Sequence, residues 1–345
     1  MLTSWSVDFH FSMSAAAGSP FTMKAFFTVL GLCLSFNDCN GSNPYASIIE
    51  DNTKRSLRTK QNGALDTHRE AAYFDTTVIR KSGRTYLDTL KIEFRSDRLT
   101  EGSDRTSSYG LVVLNSEVKA DKVQPEATQF ETTITNLTSR TVHGFETFKC
   151  DINQDMQDSP RECSPFYELK ANTFRVVVDE KGEITHLNDR DSASMGAQRA
   201  AVQSIEQTER LLQLIPSGAP ISPGSRRPIS KFFPDELGYF SGMVTLDGYY
   251  NFHGSDCALF AITGDLQINL DQLLAKFNMM GHNRVVVRSA KYDARVLWDN
   301  AEGLIRSSTA TMTTELEMEN GFMERSSRIV FEIEETIHLS SSVKG

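Results

Sequence analysis

The chain has 345 residues, 39% of them hydrophobic and 23% charged, with a formal net charge of −9. That length can bury a sizeable core in one large domain or two. The acidic balance argues against nucleic acid as a partner and gives no help in docking on anionic lipid headgroups.

The first element is a leader over residues 1–36. From Met23 it reads Met-Lys-Ala-Phe-Phe-Thr-Val-Leu-Gly-Leu-Cys-Leu-Ser-Phe36, one cation followed by a short apolar run and then polar Asn37-Asp38. That is the plan of a secretory signal peptide, with its core at 23–36, and it is too short to span a bilayer. No later segment reaches transmembrane length. Residues 37–69 are polar and aperiodic and predict a disordered lead-in. Asn40-Gly-Ser and Asn136-Leu-Thr fit N-glycosylation acceptors of a secreted chain.

Residues 70–340 read as a single β-rich domain in two halves, 70–190 and 238–340. Leu90, Ile92 and Phe94 alternate with Lys91, Glu93 and Arg95, a strand with one wet face. Tyr109–Val118, Phe130–Leu137 and Arg140–Lys149 continue the series. Four hairpin signals follow, at Asp179–Gly182, Asp247-Gly248, Asp299–Gly303 and Asn320-Gly321. Near the end, Ile329, Phe331, Ile333, Ile337 and Leu339 point one way. Glu332, Glu334, Thr336 and His338 point the other. In the preceding strand Met312, Leu316 and Met318 oppose Thr313, Glu315, Glu317 and Glu319, giving a wet acidic face.

Between the halves, residues 192–215 predict one long helix, with Val202, Ile205, Leu212 and Ile215 as its apolar stripe. A shorter helix is expected at about 270–280, closed by Gly281. Residues 216–234 hold Pro216, Pro220, Pro223, Pro228 and Pro234, a spacing that forbids both a helix and a central strand. The expected fold class is α+β and mostly antiparallel: a curved sheet or open half-barrel packed on one long helix.

Cys33 would leave with the signal peptide. Cys150 and Cys163 bracket a polar loop and predict a local disulfide in an oxidising compartment, which leaves Cys39 with Cys257 as the remaining pairing. The bracketed loop carries Asp151, Asn153, Asp155, Ser159 and Glu162 in the ligand order of a calcium loop. Met156 stands where the sharp turn needs Gly, however, and the flanks read as strand and turn. The alternative is a solvated acidic loop pinned by a disulfide.

The seven histidines are dispersed without zinc-type spacing. Nucleophile-elbow, Walker and dinucleotide motifs are all lacking, so no catalytic residue is assigned and no cofactor beyond calcium is suggested. Aromatics cluster at Phe232-Phe233, Tyr239-Phe240 and Tyr249-Tyr250. Val202, Ile205 and Leu212 on the helix, with Phe240 and Tyr250 on the sheet, are the candidate lining of an apolar groove. The alternative is that they complete a core.

The order of elements carries a resemblance: a secretion signal, long strands, the hairpin Val176–Leu187, a helix ending Leu-Ile-Pro216, and closing strands through Phe260-Ala-Ile-Thr-Gly and Trp298-Asp. Over residues 70–340 this resembles an uncharacterised family of secreted or lipoprotein-like bacterial proteins. Those are similar to the lipoprotein-carrier-like (LolA/LppX-like) half-barrels, in which a curved sheet wraps a helix. Leu-Gly-Leu-Cys33 departs from the pattern, having no small residue before the Cys of a lipobox. The resemblance implies a secreted, non-catalytic protein holding a lipid or other apolar small molecule between sheet and helix. Two alternatives stay open: a surface or matrix adhesion protein, calcium-dependent through Asp151–Glu162, and a hydrolase without a recognisable motif.

Overall fold

In a computed structural model, residues 65–344 are described apart from 75–79, 101–104, 125–126, 144–145, 155–162, 164–166, 168, 171, 180–183, 187–194, 218, 234–237, 269–282 and 321–326. The signal segment 23–36 and the short helix expected at 270–280 therefore lie outside the described residues. So do Asp155, Ser159 and Glu162.

The strands are β1 (Arg84–Thr100), β2 (Thr106–Gln124), β3 (Ala127–His143), β4 (Glu146–Asp151), β5 (Thr173–Asp179) and β6 (Ile184–His186). Helix α1 (Met195–Leu214) follows. The chain then forms β7 (Arg226–Phe233), β8 (Gly238–Phe252), β9 (Ser255–Gln267), β10 (Asn283–Asp299), β11 (Leu304–Asn320) and β12 (Ser327–Val343). All pair antiparallel in one 12-stranded sheet ordered β6-β5-β3-β2-β1-β12-β11-β10-β9-β8-β7, with β4 added beside β3. The first and last long strands meet at its centre, where Leu90 faces Leu339 and Ile92 faces Ile337. The two stretches read from sequence as halves are thus one continuous sheet.

The sheet curls, and its contacts show why. β5 is second and β7 eleventh in the order, nine spacings apart, which is about 43 Å in a flat sheet. α1 is about 30 Å long, yet it touches β5 and β3, β1 and β12, and β7. A sheet that curls around the helix brings both flanks and the centre within its reach. Among the described residues the edge strands β6 and β7 do not pair with each other, so the curl stays open. Pro228 fits this arrangement. It sits in β7, which pairs on one side only, with β8, and an edge strand is where a sheet tolerates proline. The proline-rich stretch read as an irregular connection therefore ends in an edge strand.

Alternation along the strands divides the two faces as the sequence suggests. Inward go Tyr86, Leu90, Ile92, Val112, Leu114, Phe130, Val176, Phe260, Val296 and Trp298, all in one core with the helix residues Val202, Ile205, Leu212 and Ile215. Outward charges are largely paired, among them Arg288 with Glu317, Arg105 with Glu332 and Lys344 with Glu117.

One turn expectation changes. Asp247-Gly248 is a bulge inside β8, where the register slips between Leu246 and Gly248, and is not a hairpin. Gly248 is needed because residues 65–66 cross over it: a Cβ there would lie 2.7 Å from the Asp66 carbonyl oxygen, and Asp66 bridges to Tyr249. The hairpin comes later, at His253-Gly254. Their φ angles of 50° and 85° match the twist of the flanking strands. After β11, Asn320 pairs with Ser327, and Gly321 of the expected Asn-Gly turn lies outside the described residues. The Asp299–Gly303 loop is as expected, with Asp299 paired to Leu304 and Gly303 at φ 63°.

Candidate functional site

The inner face holds more polar chemistry than its apolar pattern predicts. Arg80 enters just before β1 with φ 61°, a strained left-handed conformation for a side chain of this size, and its N–H donates to the Gly303 carbonyl at 2.8 Å. Its guanidinium lies over the Tyr86 and Phe130 rings, 5.1 and 5.9 Å from their centroids. Nη2 donates to Asp88 at 2.6 Å, and the other Asp88 oxygen accepts the Ser341 hydroxyl at 2.7 Å. Arg80 Nη1 is buried without a hydrogen-bond partner.

α1 supplies the opposing group. From 201 to 215 only Glu206, Arg210 and Gln213 are not buried, so the helix sinks almost its whole circumference, Gln203, Ser204, Gln207, Thr208 and Glu209 included. Burial pushes the Glu209 carboxyl up to about 8, with Arg80 opposing the rise and Asp179 adding to it. Glu209 Oε1 is buried without a hydrogen-bond partner. At neutral pH Glu209 is a neutral acid within the field of a buried guanidinium.

A second buried carboxyl lies on β12. Glu335 faces Phe94 and Met312 on the inner side, and burial raises it to about 7, with Arg210 opposing. It separates the main core from a smaller cluster of Phe94, Leu316 and Ile333, against which Val287 and Phe331 pack.

The sequence-proposed lining divides between the faces. Val202, Ile205, Leu212 and Phe240 are all buried in the main core. The Phe240 ring lies over the facing glycines Gly242 and Gly264 and meets Tyr292 edge-to-face at 5.8 Å. Tyr250 lies on the outer face. Unbroken alternation would put it with Phe240, but the bulge at 246–248 shifts the parity and turns Tyr249 inward instead.

Of the loop residues proposed for calcium, Asp151 and Asn153 are described. Asp151 Oδ1 accepts the Asn153 N–H at 2.8 Å, and Asn153 Nδ2 donates to Asn136 Oδ1 at 2.7 Å. Cys150 and Cys163 form the disulfide, with Cα atoms 5.5 Å apart. Cys39 lies outside the described residues, and its expected partner Cys257 is a buried free thiol within β9. Burial, then the Asp299 charge, pushes it up to about 12, with Arg306 opposing.

One outer-face row has the outline of a hydrolytic relay. Thr309 Oγ1 lies 3.1 Å from His338 Nδ1, and His338 Nε2 lies 3.7 Å from Glu93 Oε1. Burial, then Lys91, lowers the His338 pKa against the pull of Glu93. However, β11 is paired on both sides at Thr309, with Arg295 and with His338. The ladder therefore occupies the backbone N–H groups an oxyanion hole would need. The row does not support acyl transfer.

No family model matches the chain, and no curated protein matches its sequence. Among solved structures, one of lipovitellin concerned with lipid–protein interactions is similar over 77% of this chain, at 12% identity and a TM-score of 0.44. This chain spans 25% of that protein's length. An outer-membrane channel from Pseudomonas putida F1 is similar over 79% of this chain and 99% of its own, at 6% identity and a TM-score of 0.18. A LolA superfamily protein from Nitrosomonas europaea is similar over 78% of this chain and 90% of its own, at 8% identity and a TM-score of 0.12. All three scores lie below 0.5.

Arg80, Glu209 and Glu335 are not among the residues singled out from sequence, although two of them left a signal there. Glu209 sits in phase with the stripe Val202, Ile205 and Leu212, and Glu335 in phase with Ile333 and Ile337. A carboxyl in the apolar phase of an otherwise regular pattern is a buried one. Arg80 left no such mark, because nothing local announces its left-handed turn.

Proposed function

We propose that this is an extracytoplasmic, non-catalytic binding protein that holds a largely apolar ligand with one polar head between the curved sheet and α1. The observation that carries the reading is that two ionisable side chains on a mostly apolar inner face, Arg80 through Nη1 and Glu209 through Oε1, each bury a polar atom with no hydrogen-bond partner among the described residues. Buried donors and acceptors are normally satisfied, and a wall that is apolar apart from a few convergent polar groups is the usual plan of a small-molecule site. Val202, Ile205, Leu212 and Phe240 supply apolar surface on that face. The disulfide favours an oxidising compartment. No helix among the described residues is long and apolar enough to cross a membrane.

Native mass spectrometry of the protein purified without detergent tests this, together with titration by a fluorescent fatty acid. Co-purifying amphiphile, displaced by the probe, is the expected result. Repeated isolation without bound amphiphile, combined with no probe binding, overturns it.

A further inference from the structure

On the outer face, across the sheet from α1, one cross-strand row breaks the pairing seen elsewhere. Leu111 on β2, Arg140 on β3 and Lys149 on β4 stand side by side in register. Arg140 and Lys149 are thus like charges directly opposite each other, an arrangement that costs stability in an antiparallel pair. Several cations elsewhere on the outer face are matched by carboxylates, among them Lys91 with Glu93, Lys119 with Asp121 and Arg175 with Glu131. Among the described residues, neither Arg140 nor Lys149 forms an ion pair. Both are exposed, in a chain whose net charge is −9.

The two cations border a depression of about 240 Å³ that is also lined by Thr138, Asp151 and Cys150. Its β4 wall is held in place from several sides. The disulfide fixes Cys150, the Ile152 N–H donates to the Leu137 carbonyl at 3.1 Å, and the Tyr167 hydroxyl donates to the Asp151 carbonyl at 3.3 Å. A rigid wall lets two cations stay close without the ordering cost that usually accompanies ligand capture.

The geometry points to an anion site that takes a phosphoryl group, seated between Arg140 and Lys149. Arg offers a planar fork that matches phosphate oxygens, Lys adds a mobile point charge, and the Thr138 hydroxyl is a further donor in reach of the same space. The Asp151 carboxylate, one row along, repels a second negative charge on the ligand. The site therefore favours a ligand whose charge is confined to one phosphoryl group. Free phosphate and a phospholipid headgroup share that chemistry.

The test uses the full chain at fixed ionic strength. Binding of inorganic phosphate and of a soluble short-chain phosphatidylglycerol is measured by calorimetry for the wild type and for the double variant R140Q/K149Q. Over and above any lipid held in the interior, one equivalent of probe should bind to the wild type, with the affinity of that equivalent falling about tenfold or more in the double variant. Without ligand, the double variant should melt at the wild-type temperature or above, because the like-charge opposition is gone. Phosphate binding as well as the lipid identifies the free ion as the source, whereas binding of the lipid alone identifies the headgroup. The proposal is overturned if neither probe binds the wild type, if sodium chloride reproduces the effect, or if the double variant loses no equivalent of either probe. That last outcome would place any bound lipid elsewhere and leave the interior site untouched.

Discussion

Arg80 and Asp88 form an ion pair at 2.6 Å with only 1% and 0% of their side chains exposed, on a face built to exclude water. Such a pair adds little net stability, because desolvating two charges offsets their attraction. Breaking it is another matter. Asp88→Ala strands the guanidinium beneath α1 and should lower the free energy of unfolding by about 3–5 kcal/mol. The double change Arg80→Met with Asp88→Leu should cost far less, since no buried charge is left alone. Urea unfolding of both variants checks this. Equal losses in the two would show that the pair is not coupled.

The buried carboxyl on α1 makes stability depend on pH in the direction opposite to most acidic groups. Glu209 is raised from its ordinary 4.5 to about 8 in the fold, so the native state holds its proton more tightly than the unfolded chain does. Its contribution is complete below pH 4.5 and is lost as the pH rises through 8. Glu209→Gln keeps the neutral shape and removes the titration. The melting temperature of the variant minus that of the wild type should therefore climb between pH 5 and 8 and level off above it. Taking the difference cancels groups common to both proteins, including His338 and Asp97. A flat difference would mean that Glu209 is not buried as described.

Much of this architecture was legible in the chain, and what was not has a common cause. Periodicity gave the strands and the helix because each reports a local repeat, as Leu90-Ile92-Phe94 and Val202-Ile205 do. Cys150 and Cys163 were readable as a pair because a short polar loop between two cysteines leaves few other options. The pairing of β1 with β12 was not readable, since 15 residue pairs such as Leu90 with Leu339 join the two ends of the domain without any local sign. Tyr250 failed for a subtler reason: one extra residue at the 246–248 bulge reverses every later side chain in β8. The candidate site combined both difficulties. Glu209 and Glu335 were visible as interruptions of a pattern, but Arg80 acts on Glu209 only through the tertiary fold.

The glycine pair under Phe240 gives a direct handle on the inner wall. Gly242 and Gly264 face each other across β8 and β9, and a Cβ on either would lie 2.6 or 2.7 Å from the Phe240 ring. Backbone also approaches closely: a Cβ on Gly242 would lie 2.8 Å from the Gly264 Cα. Gly→Ala at either position should therefore destabilise by about 1–3 kcal/mol through overpacking, despite the usual gain in strand propensity. If the Phe240 ring can swing away, the loss should shrink when Phe240 is trimmed to Leu in the same chain. Thermal melts of the two single and two combined variants settle which atom resists.

The disulfide and the free thiol should separate cleanly by chemistry. Cys150 and Cys163 lie 13 residues apart and tie β4 to the segment that follows it, so reduction should cost about 3 kcal/mol in the chain-entropy account. Cys257 has no part in that tie. Its side chain is buried, and its thiol is pushed up to about 12, so almost no thiolate exists at neutral pH and access is closed as well. Mild reduction followed by alkylation of the native protein should mark the partly exposed Cys150, and then the buried Cys163 once its tie is cut, while leaving Cys257 unmarked until denaturant is added. Peptide mapping by mass spectrometry reads both sites in one experiment. Labelling of Cys257 in the native state at the same rate as the other two would show that the seal over β9 opens readily. Because Cys257 is sealed within the core, its alkylation should need opening of the core as a whole, and its rate should rise in the Asp88→Ala variant in step with that protein's lower stability.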